Sequence, residues 1–421
     1  MSSSWDVVVV GAGPAGLLSA SRAAERGRRV LLLEKNAKPG VKILMSGGTR
    51  CNLTHATDAG GIVAAFGRQG SFLYSALSAL SPDEVVALFA AEGVAAKVEP
   101  GGKVFPASDR AFDVLAALRR RLQRSGAALV LDEPVLDVLR VVEGSGFTIV
   151  TPHRQLSAAR LVLATGGKSY PGCGTTGDGY GWAARLGHTV INPRPALAPL
   201  KTSSGWVKTL RGVTVPDVRV RVTNGVRAVS RSTVGDARRA EQRGSLLFTH
   251  FGLSGPVALD VSCVVSAHEG PDPLWLECDF LPDVRPDVLD RELQDAAAQR
   301  GRKQVVALLA SRLPRRLLDA LLAEAGVPAL RTAAELSRAE RTRLVAALKA
   351  TSLPLAGTLG FEKAEVTAGG IALKEVDSRT MQSRIVPHLY LAGEVLDLDG
   401  PIGGYNFQAA FSTGWLAGES V

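Results

Sequence analysis

Hydrophobic and polar positions follow two different periods along this chain. DVVVV at 6–10 is a short β-branched run that feeds directly into GAGPAG at 11–16. Apolar positions at 17, 18, 20, 23 and 24 then suit a helix, which Gly27 stops, and RVLLL at 29–33 is a second apolar run ending on Glu34. Strand, glycine turn, helix and strand make a complete β-α-β unit. Ser-Pro-Asp-Glu at 81–84 is a capping-box signature with proline at the first helical position, and it predicts a helix to about residue 91. A second amphipathic helix is expected over 112–124. Short strands near 128–131, 135–142 and 147–151 read as a crossover ribbon, and LVLA at 161–164 returns as a buried strand into Thr165, Gly166 and Gly167.

The character changes near residue 192. From there to about 278 valine, arginine and threonine alternate, as in VRVRV at 218–222, which predicts β-structure; from about 286 to 350 leucine, alanine and arginine recur at helical spacing. After Pro354 the α/β character resumes. The expected class is α/β: a Rossmann-like domain with an inserted β domain that itself carries a helical subdomain. The expected boundaries are 1–191 and 351–421 for the α/β domain, 192–284 for the β insert and 285–350 for the helical subdomain.

Composition narrows the class. Hydrophobic residues make up 46% and charged residues 21% of 421 positions, as in an ordinary globular protein of two or three domains. No apolar run approaches the roughly 20 residues of a membrane span. The start, MSSSWDVVVVGAG, lacks the pattern of a signal peptide, so a cytoplasmic location without a membrane partner is expected. Four cysteines (Cys51, Cys173, Cys263, Cys278) are scattered with no C-x-x-C pair, against a disulfide-reductase motif or a zinc knuckle; no metal is expected. The net charge of +9 is uneven, with eleven basic against three acidic residues over 191–250. That excess suits either an arginine-rich solvated surface or an anionic partner such as RNA, with Arg219, Arg221, Arg238 and Arg239 as its contacts.

Between its strand and helix, Gly11-x-Gly13-x-x-Gly16 reads as a dinucleotide cradle. The first glycine permits the turn, the second admits a pyrophosphate and the third lets the helix pack on the sheet, with Ala15 between them. The phosphates would sit on the helix N-terminus, and Glu34 is placed to accept a hydrogen bond from the adenosine ribose. Two further strands, VLATGG at 162–167 and LYLAGE at 389–394, end in glycine turns and reach the same sheet edge, bringing Thr165, Gly166, Gly393 and Glu394 there. So many contact points suit a cofactor as long as FAD, and no second complete fingerprint serves a nicotinamide domain. GPIGGYN at 400–406 precedes a helix over 407–416. Asn406 is the expected N-cap, and Gly403, Gly404 and Tyr405 would bring the helix dipole to the flavin N1/O2 edge.

Four ordered segments resemble one family: KILMSGGTRCNLTH from Lys42, LATGGKSYPGCGTTGDGYGWAARLGH from residue 163, LLFTHFGLSGPVALDVS from residue 246, and VTAGGIALKEVDSRTMQSRIVPHLYLAGEVLDLDGPIGGYNFQAAFSTG from residue 366. Together they span essentially the whole chain and are similar to the aminoacetone-oxidase or BaiN-like family of bacterial NAD(P)/FAD-dependent oxidoreductases. The resemblance implies a Rossmann-like, two-dinucleotide-binding-type FAD domain, interrupted by the inserted β domain with its helical subdomain, and bound FAD with NAD(P)H as a diffusible electron donor. It implies that Lys35, Lys42, Ser46, Gly47, Gly48, Arg50 and Asn52 belong to the flavin site, Arg50 at the pyrophosphate or the flavin's polar edge. Gly177 and Asp178 would form a flavin-proximal loop, with Asp178 capping the next helix. Lys168 and Tyr170 would face the reaction side, and His250 and Ser254 the substrate, His250 as an acid or base. Cys51 is either a small apolar contact or a thiol near the isoalloxazine. Thr49, His55 and Ile402 depart from the family's usual residues.

Three functions follow as expectations. The first is two-electron transfer between FAD and a small organic substrate, by amine oxidation or reduction of an activated C=C bond. The second is reduction of a uridine in rRNA to dihydrouridine, the basic insert docking the RNA. The third is a non-catalytic FAD-binding sensor.

Overall fold

The computed structural model describes residues 4–141, 146–224 and 239–421. They divide into two units: Met1–Pro195 with Phe361–Val421, and Ala196–Gly360.

In chain order the first unit opens with β1 (Ser4–Val10), α1 (Pro14–Glu25) and β2 (Val30–Leu33), then α2 (Val41–Met45), β3 (Thr54–His55), α3 (Ala59–Ala65), α4 (Tyr74–Ala79) and α5 (Pro82–Ala91). Next come β4 (Ala96–Val98), β5 (Lys103–Pro106), α6 (Ala111–Ser125), β6 (Ala128–Val130), β7 (Asp137–Arg140), β8 (Phe147–Val150), β9 (Gln155–Leu163), α7 (Asp178–Arg185) and β10 (Val190–Ala196). The second unit carries β11 (Leu200–Thr202), α8 (Gly205–Thr209), β12 (Thr214–Thr223), β13 (Glu241–Phe248), β14 (Gly252–Ser254), α9 (Pro256–Ser266) and β15 (Trp275–Asp279). Helices α10 (Pro286–Gln299), α11 (Val305–Leu309), α12 (Arg315–Glu324) and α13 (Arg338–Lys349) follow, and β16 (Thr351–Thr358) ends it. The chain returns to the first unit with β17 (Val366–Ile371), β18 (Leu389–Leu391) and α14 (Tyr405–Ser420).

The main sheet has the order β6-β2-β1-β9-β8-β7, with β18 also on β9. β1 pairs in parallel with β2 and β9, and all four valines at 7–10 are buried, so the apolar run expected of a doubly covered parallel strand is what lies at the sheet's centre. β9 changes neighbour along its length: residues 155–158 face antiparallel β8, and 161–163 face parallel β18. The expected ribbon is therefore β7, β8 and the start of β9, whereas β6 joins the main sheet parallel to β2. Residues 142–145 of the expected ribbon lie outside the described residues. The capping box at Ser81 forms as expected, with Ser81 and Glu84 bonded reciprocally.

Helices α1 and α14 pack without side chains between their backbones. A Cβ on Gly414 would stand 2.3 Å from the Ala15 carbonyl oxygen, and one on Gly418 2.5 Å from that of Ser19. These matched pairs set the helices parallel. Tyr405 precedes Gly414 by nine residues, so the first turns of α14 overhang the start of α1 by roughly 13 Å at about 1.5 Å per residue.

In the second unit, the described strands close a barrel of order β11-β14-β13-β12-β15-β16. Val218, Val220 and Val222 point into it, fully buried, while Arg219 and Arg221 alternate outward. Two expectations need correction. PVALDVSCVVS at 256–266 is not β but α9, because buried positions 257, 258, 261, 264 and 265 recur at helical spacing behind a proline in the first turn. Thr351–Thr358, expected to begin the returning FAD domain at 351, pairs with β15 and β11 inside the barrel.

Replacing Gly414 with valine should force α1 and α14 apart and cost about 3 kcal/mol. A clear drop in Tm on thermal unfolding is the expected readout; an unchanged Tm would mean the helices do not approach as described.

Candidate functional site

The glycine turn separates its three tasks cleanly. A Cβ on Gly11 (φ 98°) would lie 2.6 Å from the Ala164 carbonyl oxygen, and one on Gly16 would lie 1.9 Å from that of Gly11. One on Gly13 meets nothing within 4 Å. Close packing thus demands the first and third glycines, and the second leaves open space over the start of α1. Gly13 is the N-cap and offers no side chain, so the leading N–H groups of α1 have no side-chain cap. Thr165, whose Cα a Gly11 Cβ would approach at 3.0 Å, carries a buried hydroxyl without a hydrogen-bond partner. An open cradle and an uncapped helix start fit the pyrophosphate of a dinucleotide.

Glu34 braces this turn from the end of β2. Its Oε2 accepts from the Ala12 N–H at 2.8 Å, and Oε1 accepts from the Asn36 backbone at 2.9 Å and side chain at 2.8 Å. Oε1 is filled by these two bonds, and Oε2 retains acceptor capacity for a ribose hydroxyl. Asn36 also donates to the Cys173 carbonyl at 3.1 Å, holding the 170–177 loop to the turn. Lys35 donates to Thr176 and Asp178, both at 2.6 Å. Asp178 does not cap α7: the N-cap is Gly177 at φ 81°, and the aspartate occupies the first helical position, where its charge complements the helix dipole.

The busy loop after α2 is held on the β3-β5-β4 sheet. Gly47, Gly48, Thr49 and Cys51 all have positive φ (55°, 67°, 70° and 62°). The Ser46 hydroxyl donates to the Ile43 carbonyl, and its own carbonyl accepts from Cys51 N–H. The Asn52 amide, turned to face its neighbours, donates to the carbonyls of Thr54 at 2.9 Å and Val104 at 3.0 Å and accepts from Gly404 N–H at 3.0 Å. This residue ties the loop to the start of α14. Arg50, expected at the cofactor, instead lies over the Phe105 ring at 3.9 Å and pairs with Glu99 at 2.6 Å and Asp109 at 3.4 Å. Two carboxylates and an aromatic face hold it, a local sink that spacing alone did not reveal.

A second polar knot joins loops far apart in sequence. The Lys42 ammonium donates to Glu394 at 2.6 Å and Ser169 at 2.7 Å, and Glu394 also accepts from the Ser169 hydroxyl at 2.7 Å and Thr367 N–H at 2.8 Å. The Thr367 hydroxyl accepts from the N–H groups of Lys168 and Ser169. Gly393, at φ 76°, donates its N–H to Thr413 of α14. Gly403 receives the His55 Nδ1 hydrogen on its carbonyl at 3.1 Å, and the His55 ring stacks on Tyr405 with centroids 4.5 Å apart. Asn406 is not the N-cap. Helix α14 starts from Gly404, at φ 94° with no side-chain cap, and Asn406 closes the preceding turn by accepting from Gly400 N–H and donating to the Gly400 and Pro401 carbonyls. The overhanging turns of α14 are secured by Gln408, which accepts from Thr54 and donates to Leu80 and Ser412. Sequence reading missed Asn36, Ser169, Thr367 and Gln408, since nothing in their own neighbourhood announces partners hundreds of residues away.

The three candidate catalytic side chains are divided between the two units. Cys51 is fully buried, and burial pushes its thiol up to about 12, so the neutral, inert form prevails. Cys173 forms no disulfide with it; its sulfur contacts Met45 Sδ at 3.0 Å, and all four cysteines are free. Lys168 is exposed, with its ammonium 5.3 Å from the Phe361 ring centre. His250 belongs to the other unit, exposed in the turn between β13 and β14 with its ring edge-on to Phe251. Among the described residues no group of histidine, cysteine and carboxylate side chains could hold a metal ion, and no single helix is long and apolar enough to cross a membrane.

Thr49 is β-branched at φ 70°, a conformation that costs about 1–2 kcal/mol relative to glycine. Thr49→Gly should therefore raise stability by about 1 kcal/mol in denaturant titration; a loss would show that the hydroxyl or methyl makes a compensating contact. For Cys51 the folded thiol titrates above its unfolded value, so its contribution is intact below about pH 8.5 and fades as pH climbs toward 12. Cys51→Ala should lessen that alkaline destabilisation, and iodoacetamide should label the wild-type residue only after unfolding. Rapid native-state labelling would restore the reactive-thiol reading.

A family model described as the HI0933-like protein Rossmann domain matches residues 5–420. The chain is 34% identical over 420 residues to the ribosomal RNA dihydrouridine synthase of Escherichia coli (strain K12), covering 99% of this chain and 98% of that protein. It is 31% identical to a protein of the same name from Haemophilus influenzae, covering 100% and 99% of the two chains. It is also 31% identical to the 3-dehydro-bile acid delta(4,6)-reductase of Clostridium scindens, with 98% of each chain covered. With a family match running almost from end to end and a cradle that fits the cofactor, the chain belongs to the HI0933-like family of Rossmann-type proteins and is an FAD-dependent oxidoreductase.

Proposed function

We propose that this chain reduces a carbon–carbon double bond conjugated to a carbonyl, and that its substrate is a uridine of ribosomal RNA. The observation that carries the reading is the shared chemistry of its named relatives over their full length. A dihydrouridine synthase saturates a ring C=C bond of uracil, and a delta(4,6)-reductase acts on double bonds of a 3-oxo steroid acid. Both are reductions of an enone-like system, which favours this direction over amine oxidation. Of the two substrates, RNA is favoured by the higher identity and by the basic excess of the second unit.

FAD, when bound, supplies the two-electron chemistry, with NAD(P)H as the diffusible donor. The chain's own residues bind and orient it. Gly11 and Gly16 set the turn and seat the helix, and Gly13 leaves room for the pyrophosphate over the start of α1. Glu34 takes the ribose, and the uncapped start of α14, roughly 13 Å further along, suits the opposite end of an extended cofactor. The Lys42–Glu394–Ser169 knot and Asn52 hold the intervening loops in place. Lys168, exposed in the loop after β9, is the candidate cation of the reaction side in this reading, and His250, in the second unit, a candidate acid or base.

Nucleoside mass spectrometry of rRNA from the native host, with and without this gene, tests the substrate. Loss of a dihydrouridine signal on deletion, restored by the wild-type gene, is the expected result. An unchanged nucleoside profile, together with NAD(P)H-dependent turnover of small enones, would instead assign a small-molecule reductase.

A further inference from the structure

Three of the arginines that make the second unit look basic are already neutralised on the barrel. Arg221 pairs with Glu241 at 2.8 Å, with Arg219 3.8 Å from the same carboxylate, and Arg243 bridges Asp217 and Asp283, each at 2.7 Å. Arg239 also has a partner of its own, and Arg227, Arg231 and Arg238 lie outside the described residues.

One corner differs. The short helix α8 ends at Thr209, and the guanidinium of Arg316 on α12 donates to the carbonyls of Thr209 and Arg211, the latter at 3.2 Å. This contact gathers Lys208, Arg211 and Arg316 in one place. All three are exposed, and among the described residues none has a carboxylate partner. The acids nearby in sequence are committed elsewhere: Asp319 to Arg315 at 2.9 Å, and Glu292 to Arg312 at 2.8 Å. The corner therefore carries an uncompensated positive charge of three, and the bond from Arg316 to backbone carbonyls fixes its guanidinium without quenching it.

We infer that this corner of the barrel unit, Lys208, Arg211 and Arg316, docks the phosphate backbone of the RNA substrate. The inference rests on the RNA reading above and replaces the barrel-strand arginines as the docking surface. Backbone phosphates fit because the corner offers point charges and a guanidinium fork with no apolar or base-reading side chain required. It supplies affinity and orientation rather than sequence choice, so its removal weakens binding on every RNA alike.

The test uses the full-length flavin-loaded protein and fluorescently labelled, protein-free ribosomal RNA, with anisotropy read across a salt series. Lys208→Ala with Arg211→Ala leaves the α8 carbonyl bonds intact, and adding Arg316→Gln completes the set while keeping an amide donor there. The triple variant should bind at least ~10-fold more weakly near physiological salt. Its slope of log affinity against log salt should be shallower by about 2, because each phosphate that the corner neutralises contributes about 0.7–0.9 to that slope. Flavin content and Tm should stay at wild-type values. Arg219→Gln with Arg221→Gln, which removes paired cations, should bind within about twofold of wild type. Tight wild-type binding with the same slope in the triple variant would overturn the corner and leave the RNA reading standing. So would a larger loss of affinity in the Arg219 and Arg221 variant than at the corner. Wild-type protein that binds no rRNA at low salt would overturn the corner as well, while the nucleoside profile of the deletion strain judges the RNA reading independently.

Discussion

The backbone-to-backbone approach of α1 and α14 is the constraint on which the rest of the cofactor domain depends. Glycine at 414 and 418 lets the two helices lie parallel with the Ala15 and Ser19 carbonyls where side chains would otherwise stand. That register fixes two helix starts at one end of the sheet, one over the glycine turn and the other well beyond it. Everything at the carboxyl edge is then hung between them. Gly393 binds α14 through Thr413, Asn52 binds the first residue before α14, and Glu394 gathers the α2 lysine with the loop after β9 and the start of β17. A long, two-ended cofactor requires such a pair of separated dipoles held rigidly, and small residues along two helices achieve it without any dedicated loop.

The legible parts of the fold were those whose cause is local. The glycine turn, the Ser81 capping box and the apolar runs of β1 and β2 each declare themselves within a few residues, and all form. The alternation of VRVRV likewise foretold one buried and one exposed face. What escaped notice was set by distant partners. Asp178 and Asn406 have the composition of caps, but glycines shortly before them, free to adopt positive φ, take the cap position and shift each helix start. Arg50 reads as an anion ligand until β5 and the turns flanking it bring Phe105, Glu99 and Asp109 around it. Helix α9 is so rich in valine that propensity argues for a strand, and only burial at helical spacing overrides it.

Electrostatics divides labour in the same way. In the cofactor unit, charged side chains serve as internal struts: Lys42 with Glu394, Lys35 with Asp178, Arg50 with Glu99. On the barrel, cross-strand acids quench the arginines of β12 and β13, so a count of basic residues overstates the surface available to an anion. One group of cations left without carboxylate partners lies where α8 meets α12. Charge in this protein is informative by location rather than by sum, and the neutral, buried Cys51 makes the complementary point that a chemically suggestive side chain can be core.

The central claim, that the electrons carried by this flavoprotein end on a uracil ring of ribosomal RNA, is tested most directly by anaerobic rapid mixing. Holoenzyme reduced with NADPH would be mixed with protein-free rRNA from a strain lacking this gene, and flavin reoxidation followed by absorbance. The account requires reoxidation by that rRNA, with dihydrouridine formed in proportion, and none by rRNA already modified in the wild-type strain. Flavin that stays reduced in the presence of unmodified rRNA, yet is reoxidised promptly by a small enone, would contradict it.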